Sequence, residues 1–488
     1  MPRKPSASTI NAAKANITGQ DVVTSILAED PALAARAAQA GIVTLSQQPG
    51  KTRQTVALVD DNSSILGNLY NFIMGYEPNR NAFLYALMNR IGMTLITSRM
   101  WNSPLAWTLR GKLEFGESVE EIFVNLVKVQ SFDPTQAPAR TFERNVPDVR
   151  AAFHMMNWQK DYPVTITTDQ LRQAFLSWQG IVDLVQGIVT SMYKSLQKDM
   201  YETTKFMLAK LILSGELHAV TIPDITQPTN RNDNLTTLVE KEQATALDMT
   251  VLKPVWTMAN VYNAVDDVSD LYFIMPNDVI AAVGVNVLAA AFNMSKTEFL
   301  GRTIGIDSFA EMDYTRLDML FEGEKDYAHI TGTDLTNLQK CVGLVVGPEF
   351  FQIWENFQET TDNYTGAGLY WNYWHHAWYT FSVSPFEVAA LFTYAGSDIT
   401  AVAVTPATAN VAQGTTIVMG ATVTGTGIFK KTVSFSIEGQ TKSGTQMVGN
   451  QLTIAADEPA ETSITVTATA EDGTKGTGTI KVVAAGGE

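Results

Sequence analysis

An α+β body followed by a separate all-β sandwich is the fold class this sequence predicts, and three observations carry it. Apolar residues recur at alternating spacings of four and three from Asp169 to Leu213, the period of a long amphipathic helix. Strand-like segments lie on both sides of that stripe. Near Ser397 the composition changes: from Ile399 to Val483 there is no Trp, Tyr, Cys or His, and short alternating apolar runs take over.

The chain's 488 residues are 45% hydrophobic and 17% charged, which is long enough for two to four domains and too apolar for disorder. No run approaches the roughly 18 to 20 apolar residues of a membrane helix. The opening residues lack the apolar core of a secretory signal, so folding in a cytoplasm is expected. Cys341 is the only cysteine, which excludes an internal disulfide framework and a Cys-rich zinc module. The net charge of −16 argues against a protein whose main task is to grip phosphates. Arg3, Lys4 and Lys14 are too few to make a binding arm.

Taken in order, residues 1–104 read as an N-terminal arm and lead-in. Residues 105–167 read as a long excursion with little core of its own, carrying strands over Ile122–Val129 and Phe153–Tyr162, and such an excursion suggests an arm that packs on a neighbour. Then comes the helix. Its stripe is Leu171, Phe175, Trp178, Val182, Val185, Val189, Met192 and Leu196, continued by Met200, Met207 and Leu211, with Thr168 as N-cap and Gly215 as the C-terminal stop. At about 1.5 Å per residue it would reach on the order of 65 Å, which suits an elongated subunit better than a compact enzyme core. The polar stretch Thr221–Asn234 reads as a loop. Leu271–Met275 reads as a buried strand, Asn277 caps a helix through Ala290, and Ser295 with Glu298 forms a capping box. Leu369–Phe381 is too aromatic for a loop and reads as a buried strand. The helix and these later elements make up residues 168–396. The final 397–488 read as the sandwich, with alternation at Ile417, Met419, Ala421 and Val423, at Val433, Phe435 and Ile437, and at Ile464, Val466 and Ala468.

No phosphate loop, GxSxG, HExxH or EF-hand pattern occurs. His375 and His376, as neighbours on a strand, point to opposite faces and cannot share one metal, while His154, His218 and His329 are scattered. Ser191 with Lys194 and Ser195 with Lys198 match a serine–lysine spacing but lie inside the long helix. The carboxylate pairs Asp60–Asp61, Glu120–Glu121 and Asp266–Asp267 read as solvated faces. No catalytic residue, cofactor site or metal site is assigned, and the chain reads as no enzyme.

Five blocks resemble, in the same order, the major capsid proteins of phi-29-like tailed bacteriophages. They are Ser103–Pro134, Phe142–Thr167, Leu171–Ile181, Ala291–Gly301 and Gly368–Ser384, and the resemblance they carry extends over roughly residues 65 to 395. Ile399–Val423 resembles the bacterial group 2 immunoglobulin-like repeat, with Phe435 where such repeats often place Trp. The resemblance implies the Hong Kong 97 capsid fold, with N-arm, extended loop, spine helix, peripheral and axial domains. It implies self-assembly, through pentamers and hexamers, into an icosahedral or prolate head shell around double-stranded DNA. A scaffolding protein and a portal are implied as partners, with weak non-specific DNA contact on the inner face, host-surface contact through the sandwich, assembly in the host cytoplasm, and no membrane. Phe115, Glu120, Glu121, Phe123, Arg144 and Trp158 are the expected subunit-contact residues. The competing reading, a bacterial surface or adhesion protein with an immunoglobulin-like domain, would call for a secretion signal and an anchor.

Overall fold

The computed structural model describes residues 19–47, 54–59, 64–76, 78–80, 82, 83, 86, 101, 103–113, 118–127, 129, 132, 147–176, 178–286 and 303–484. Two compact units divide the chain. One comprises Met1–Ser103, Gln159–Lys198 and Phe357–Trp378; the other comprises Pro104–Trp158, Asp199–Asn356 and Tyr379–Glu488.

The first unit has its own apolar core. Helices Gly19–Glu29, Pro31–Gln39 and Ser64–Met74 accompany an antiparallel hairpin, Val43–Gln47 with Gln54–Leu58. Asp30 caps the second helix by accepting the N–H groups of Ala32 and Leu33, with Pro31 preset in the first turn. Ile26, Leu27, Leu33, Leu69, Ile73 and Phe83 are buried in one cluster with Phe175, Met192, Trp371 and Tyr373.

The long helix differs from its expectation at both its start and its interior. Thr167, not Thr168, is the cap: its N–H donates to Gln170 Oε1 at 3.0 Å, and the Gln170 N–H returns to Thr167 Oγ1 at 3.3 Å. The Thr168 hydroxyl is already committed to the Leu369 carbonyl. A short helix, Thr168–Ala174, then gives way to a second, Trp178–Ser214, and the break falls where Phe175 packs against Tyr70 and Phe83. Of the predicted stripe, Phe175, Met192, Leu196 and Leu211 are buried, and the side chains of Leu171, Trp178, Val182, Val185 and Val189 lie outside the described residues. Gly215 ends the helix at φ +74, a conformation that favours glycine.

In the second unit a mixed five-stranded sheet runs in the order His218–Thr221, Ala389–Thr393, Cys341–Val346, Tyr272–Pro276, Thr303–Ile306. The inner pairs are antiparallel, with Leu344 opposite both Leu391 and Ile274; the outer pairs are parallel. Every residue of the central strand Cys341–Val346 is buried, as a strand covered on both faces requires. Helix Arg231–Asp248 begins inside the stretch expected to be loop. Helix Asn277–Asn286 takes Asn277 as its first residue rather than as the cap before it; the Ser295–Glu298 capping box lies outside the described residues.

The end of the long helix is fastened by ions. Arg316 grips Asp199 through two parallel hydrogen bonds of 2.8 and 2.7 Å, and Lys205 Nζ lies 2.8 and 2.7 Å from the two Asp307 oxygens. Burial alone would raise the Asp307 pKa, but the hydrogen bonds from Lys205 and Tyr201 hold it below the usual carboxylate range.

From Ser397 onward every element is a strand, arranged as a pair, a four-stranded sheet and a three-stranded sheet. Val404, Val411, Met419, Leu452, Ile464, Val466, Ile480 and Val482 form one core drawn from all of them. The expected run from Ile417 to Val423 keeps its alternation but splits at buried Met419, with Thr416–Val418 and Gly420–Gly427 in different sheets. Glu458, fully buried, accepts from the Thr441 and Lys442 N–H groups and from both threonine hydroxyls, Thr441 and Thr445. These bonds fix the 441–445 turn.

Candidate assembly surface

The strands Ser118–Val124 and Val149–Met155 form an antiparallel hairpin whose two faces differ in chemistry. Both expected strands are shifted. The first stops at Val124 because the Asn125 side chain bonds to Asp148 and to the Leu126 N–H. The second ends at Met155 because Asn157 steps out of the ladder, and its side-chain amide exchanges two 2.8 Å hydrogen bonds with the Phe381 backbone. A new strand then starts at Trp158.

Successive strand residues alternate faces, so the register fixes which side chains share a side. The inner face carries Glu121, Phe123, Arg150 and His154. Phe123 stacks on Phe386 at 5.4 Å. Glu121 accepts from Ser384 Oγ at 2.7 Å and pairs with His154 Nε2 at 3.1 Å, while His154 Nδ1 meets Ser382 Oγ at 2.8 Å. This network seats the hairpin on the residues that follow the aromatic strand.

The outer face is largely apolar and exposed, with Glu120 as its one charged residue among the described residues. Ile122, Val124, Val149, Phe153 and Met155 are each 53% to 65% exposed, and Ile122 sits opposite Ala151 while Val124 sits opposite Val149. Leu126, Val127, Val129 and Phe132, which follow the strand in sequence, are exposed as well. Isolated exposed apolar residues are ordinary; a contiguous set on one face of a two-stranded ribbon marks a contact surface.

The expected contact residues therefore separate. Glu120 stands on the outer face opposite Phe153. Glu121 and Phe123 belong to the inner face. Trp158 is buried inside the chain, edge-on to Tyr379 and Phe381. Phe115 and Arg144 lie outside the described residues. Sequence reasoning missed Ile122, Val124, Val149 and Phe153 as a set, although the period-2 alternation of the two strands contained the signal once their register was known.

His375 and His376 do face opposite sides of the strand Tyr370–Val383: His375 is buried between Gln358 Nε2 and Thr360 Oγ1, and His376 meets Thr361. Burial, and then the neighbouring His376, lower the His375 pKa and disfavour its charged form. Among the described residues no group of three or more His, Cys, Asp or Glu could hold a metal ion, and no helix is long and apolar enough to cross a membrane.

The family described as Phi29-like phage major capsid protein matches this chain over residues 48–393, a span that stops just short of the strands beginning at Ser397. The major capsid protein of Bacillus phage B103 is 32% identical over 410 residues, 82% of this chain and 83% of that protein. That of Bacillus phage PZA is 32% identical over 399 residues, 81% and 82%. A chain in the capsid structure of Staphylococcus phage Andhra is 14% identical with a TM-score of 0.47, covering 62% of this chain and 87% of that one.

Proposed function

Because this chain belongs to the Phi29-like phage major capsid protein family, and so is the major capsid protein of a tailed phage, we propose that the hairpin's outer face is the surface through which neighbouring subunits join. The uncovered apolar ribbon carries this reading: five large side chains, more than half exposed, would be costly to leave in water on an isolated protein and are stabilising once a neighbour covers them. Glu120, on the same face, would sit at the rim of that contact, and Phe115 and Arg144, in the flanking stretch, remain proposed contacts. Trp158, Glu121 and Phe123 then act indirectly, by seating the hairpin.

The rest of the reading follows the family. The body is taken as a Hong Kong 97-like fold with residues 1–104 as N-arm and lead-in, 105–167 as extended loop, and 168–396 as spine helix with peripheral and axial domains. Residues 397–488 are taken as an immunoglobulin-like sandwich of the bacterial group 2 type; a main apolar core to which all three sheets contribute supports this. Assembly through pentamers and hexamers in the host cytoplasm, with a scaffolding protein and a portal, around double-stranded DNA, completes the proposal. The acidic balance of −16 suits a wall to which packed DNA does not adhere.

Ile122→Asp tests the contact surface. The position is 61% exposed, so the free subunit should keep its fold and its circular dichroism spectrum. Burying the new carboxylate under a neighbour costs several kcal/mol at every contact, enough to weaken association about 100-fold or more. Electron microscopy should then show subunits without closed particles. Closed particles at wild-type yield would mean that the face is not buried between subunits.

A further inference from the structure

The loop from Val255 to Asn263 is held from two sides by side chains that belong to different parts of the chain. On one side is the C-terminal all-β module. Lys430, 1% exposed, directs its three ammonium hydrogens to the Val255 carbonyl at 3.0 Å, the Thr257 carbonyl at 2.6 Å and Asn260 Oδ1 at 2.7 Å. Asn260 reaches this position from a left-handed backbone, φ +52, which Asn tolerates better than most residues. On the other side is the arm hairpin. Arg150 Nη1 donates to the Ala259 carbonyl, between two of the groups that receive Lys430, and Asn125 Oδ1 accepts the Tyr262 N–H at 3.2 Å. The loop is itself tied to the strand ends that support the hairpin, through Ala259 N–H to the Pro385 carbonyl and Asn263 Nδ2 to the Phe386 carbonyl.

We propose that this loop is a coupling element: docking of the C-terminal module through Lys430 fixes the 255–263 backbone and thereby the pose of the arm hairpin. Among the described residues the Lys430 ammonium donates only to backbone and amide oxygens, and the nearby Glu471 carboxylate acts on its charge through space. Those oxygens are correctly aimed only while the loop keeps its conformation, and the Ala259 carbonyl that holds Arg150 is part of the same turn. Glu471 strengthens the dock without touching the loop, accepting the Lys430 N–H at 2.9 Å and pairing with His218 at 2.7 Å. A module tied on in this way is a support for the hairpin as well as an appendage. Coupling of this kind is reciprocal: loosening the arm must loosen the module by the same factor.

The coupling is a property of the single chain, so it is read in unassembled subunits, where its failure is distinct from a failure of the contact-surface proposal. Lys430→Met keeps the stem and removes the three hydrogen bonds. Amide hydrogen exchange in peptides from 118–124 and 149–155 should become about tenfold faster or more. Glu458→Gln weakens the module at a turn whose bonds to Glu458 do not involve the loop, and should leave those peptides at the wild-type rate. In the reverse direction, Arg150→Gln should speed exchange around 428–433. Unchanged arm exchange in Lys430→Met, or equal acceleration by Glu458→Gln, would overturn the proposal. If Lys430→Met fails to fold, Arg150→Gln alone decides: an unchanged rate at 428–433 overturns it.

Discussion

Lys205→Met is expected to destabilise the end of the long helix by about 3 kcal/mol, the cost of leaving one member of a buried ion pair behind. Lys205 Nζ lies between Asp307, at 2.7 Å, and Glu202, at 3.8 Å, and Glu202 is 1% exposed. Methionine fills much of the same volume, so little of the effect is packing. Native-state hydrogen exchange over 199–210 should accelerate about 100-fold, a local reading that does not require so long a chain to unfold in one step. Asp307→Asn should cost much less, because the Asp307 side chain is 43% exposed and water can replace part of what is lost, and because Glu202 still faces Lys205. The sign with pH follows from Asp307 being held low. Its contribution is present above the unfolded carboxylate range and is lost as pH falls through the folded pKa. Equal effects from the two variants would show that Glu202 does not depend on the lysine.

What the sequence made legible was periodicity and punctuation. The helix ending at Gly215, the buried strand near Leu271, the aromatic strand with its two opposed histidines and the onset of strands at Ser397 all rest on local patterns that tertiary packing does not reverse. Glycine punctuates the C-terminal module in the same local way: Gly414, Gly427, Gly439 and Gly473 all have positive φ, a conformation that favours glycine. The errors lie where a side chain replaces a backbone partner. Asn157 imitates a ladder residue against Phe381, and Thr167 and Gln170 cap each other, so strand and helix ends moved by a few residues. The exposed apolar face of the hairpin was only half legible. Strands were expected in this region, but which residues face outward depends on a register set by pairing across the long segment between the two strands. Lys430 gave even less warning, since its partners are three oxygens about 170 residues earlier in the chain; the one local sign is a lysine pair following the buried Ile428 and Phe429.

Glu242 offers the other large effect, and its sign is opposite to that of an ordinary acidic residue. It lies on the buried stripe of helix Arg231–Asp248, in step with Leu235, Leu238, Val239 and Ala246, where the pattern calls for an apolar side chain. Neither carboxyl oxygen has a hydrogen-bond partner among the described residues. Across the strand, Oε1 stands 3.1 Å from where a Cβ on Gly343 would lie, with Met275 and Phe392 approaching the same point. Burial pushes the carboxyl up to about 8, so the folded chain keeps this proton at pH values where the unfolded chain has released it. A raised acid destabilises as pH rises. The native state loses about 1.4 kcal/mol per pH unit from the ordinary glutamate range to about pH 8, and below that window the group costs nothing through ionisation. Glu242→Gln removes the titration and keeps the shape. Unassembled subunits carrying it should resist denaturant like the parent near pH 4.5 and should exceed it by roughly 3 to 5 kcal/mol at pH 8. Glu242→Met should add to that gain at both pH values by removing the unpaired polar atoms. The measurement is the difference between variant and parent as a function of pH, which cancels every other titrating group. A difference that stays constant from pH 4.5 to 8 would mean that Glu242 finds a partner or water inside the fold, and that its place on an apolar stripe costs the protein little.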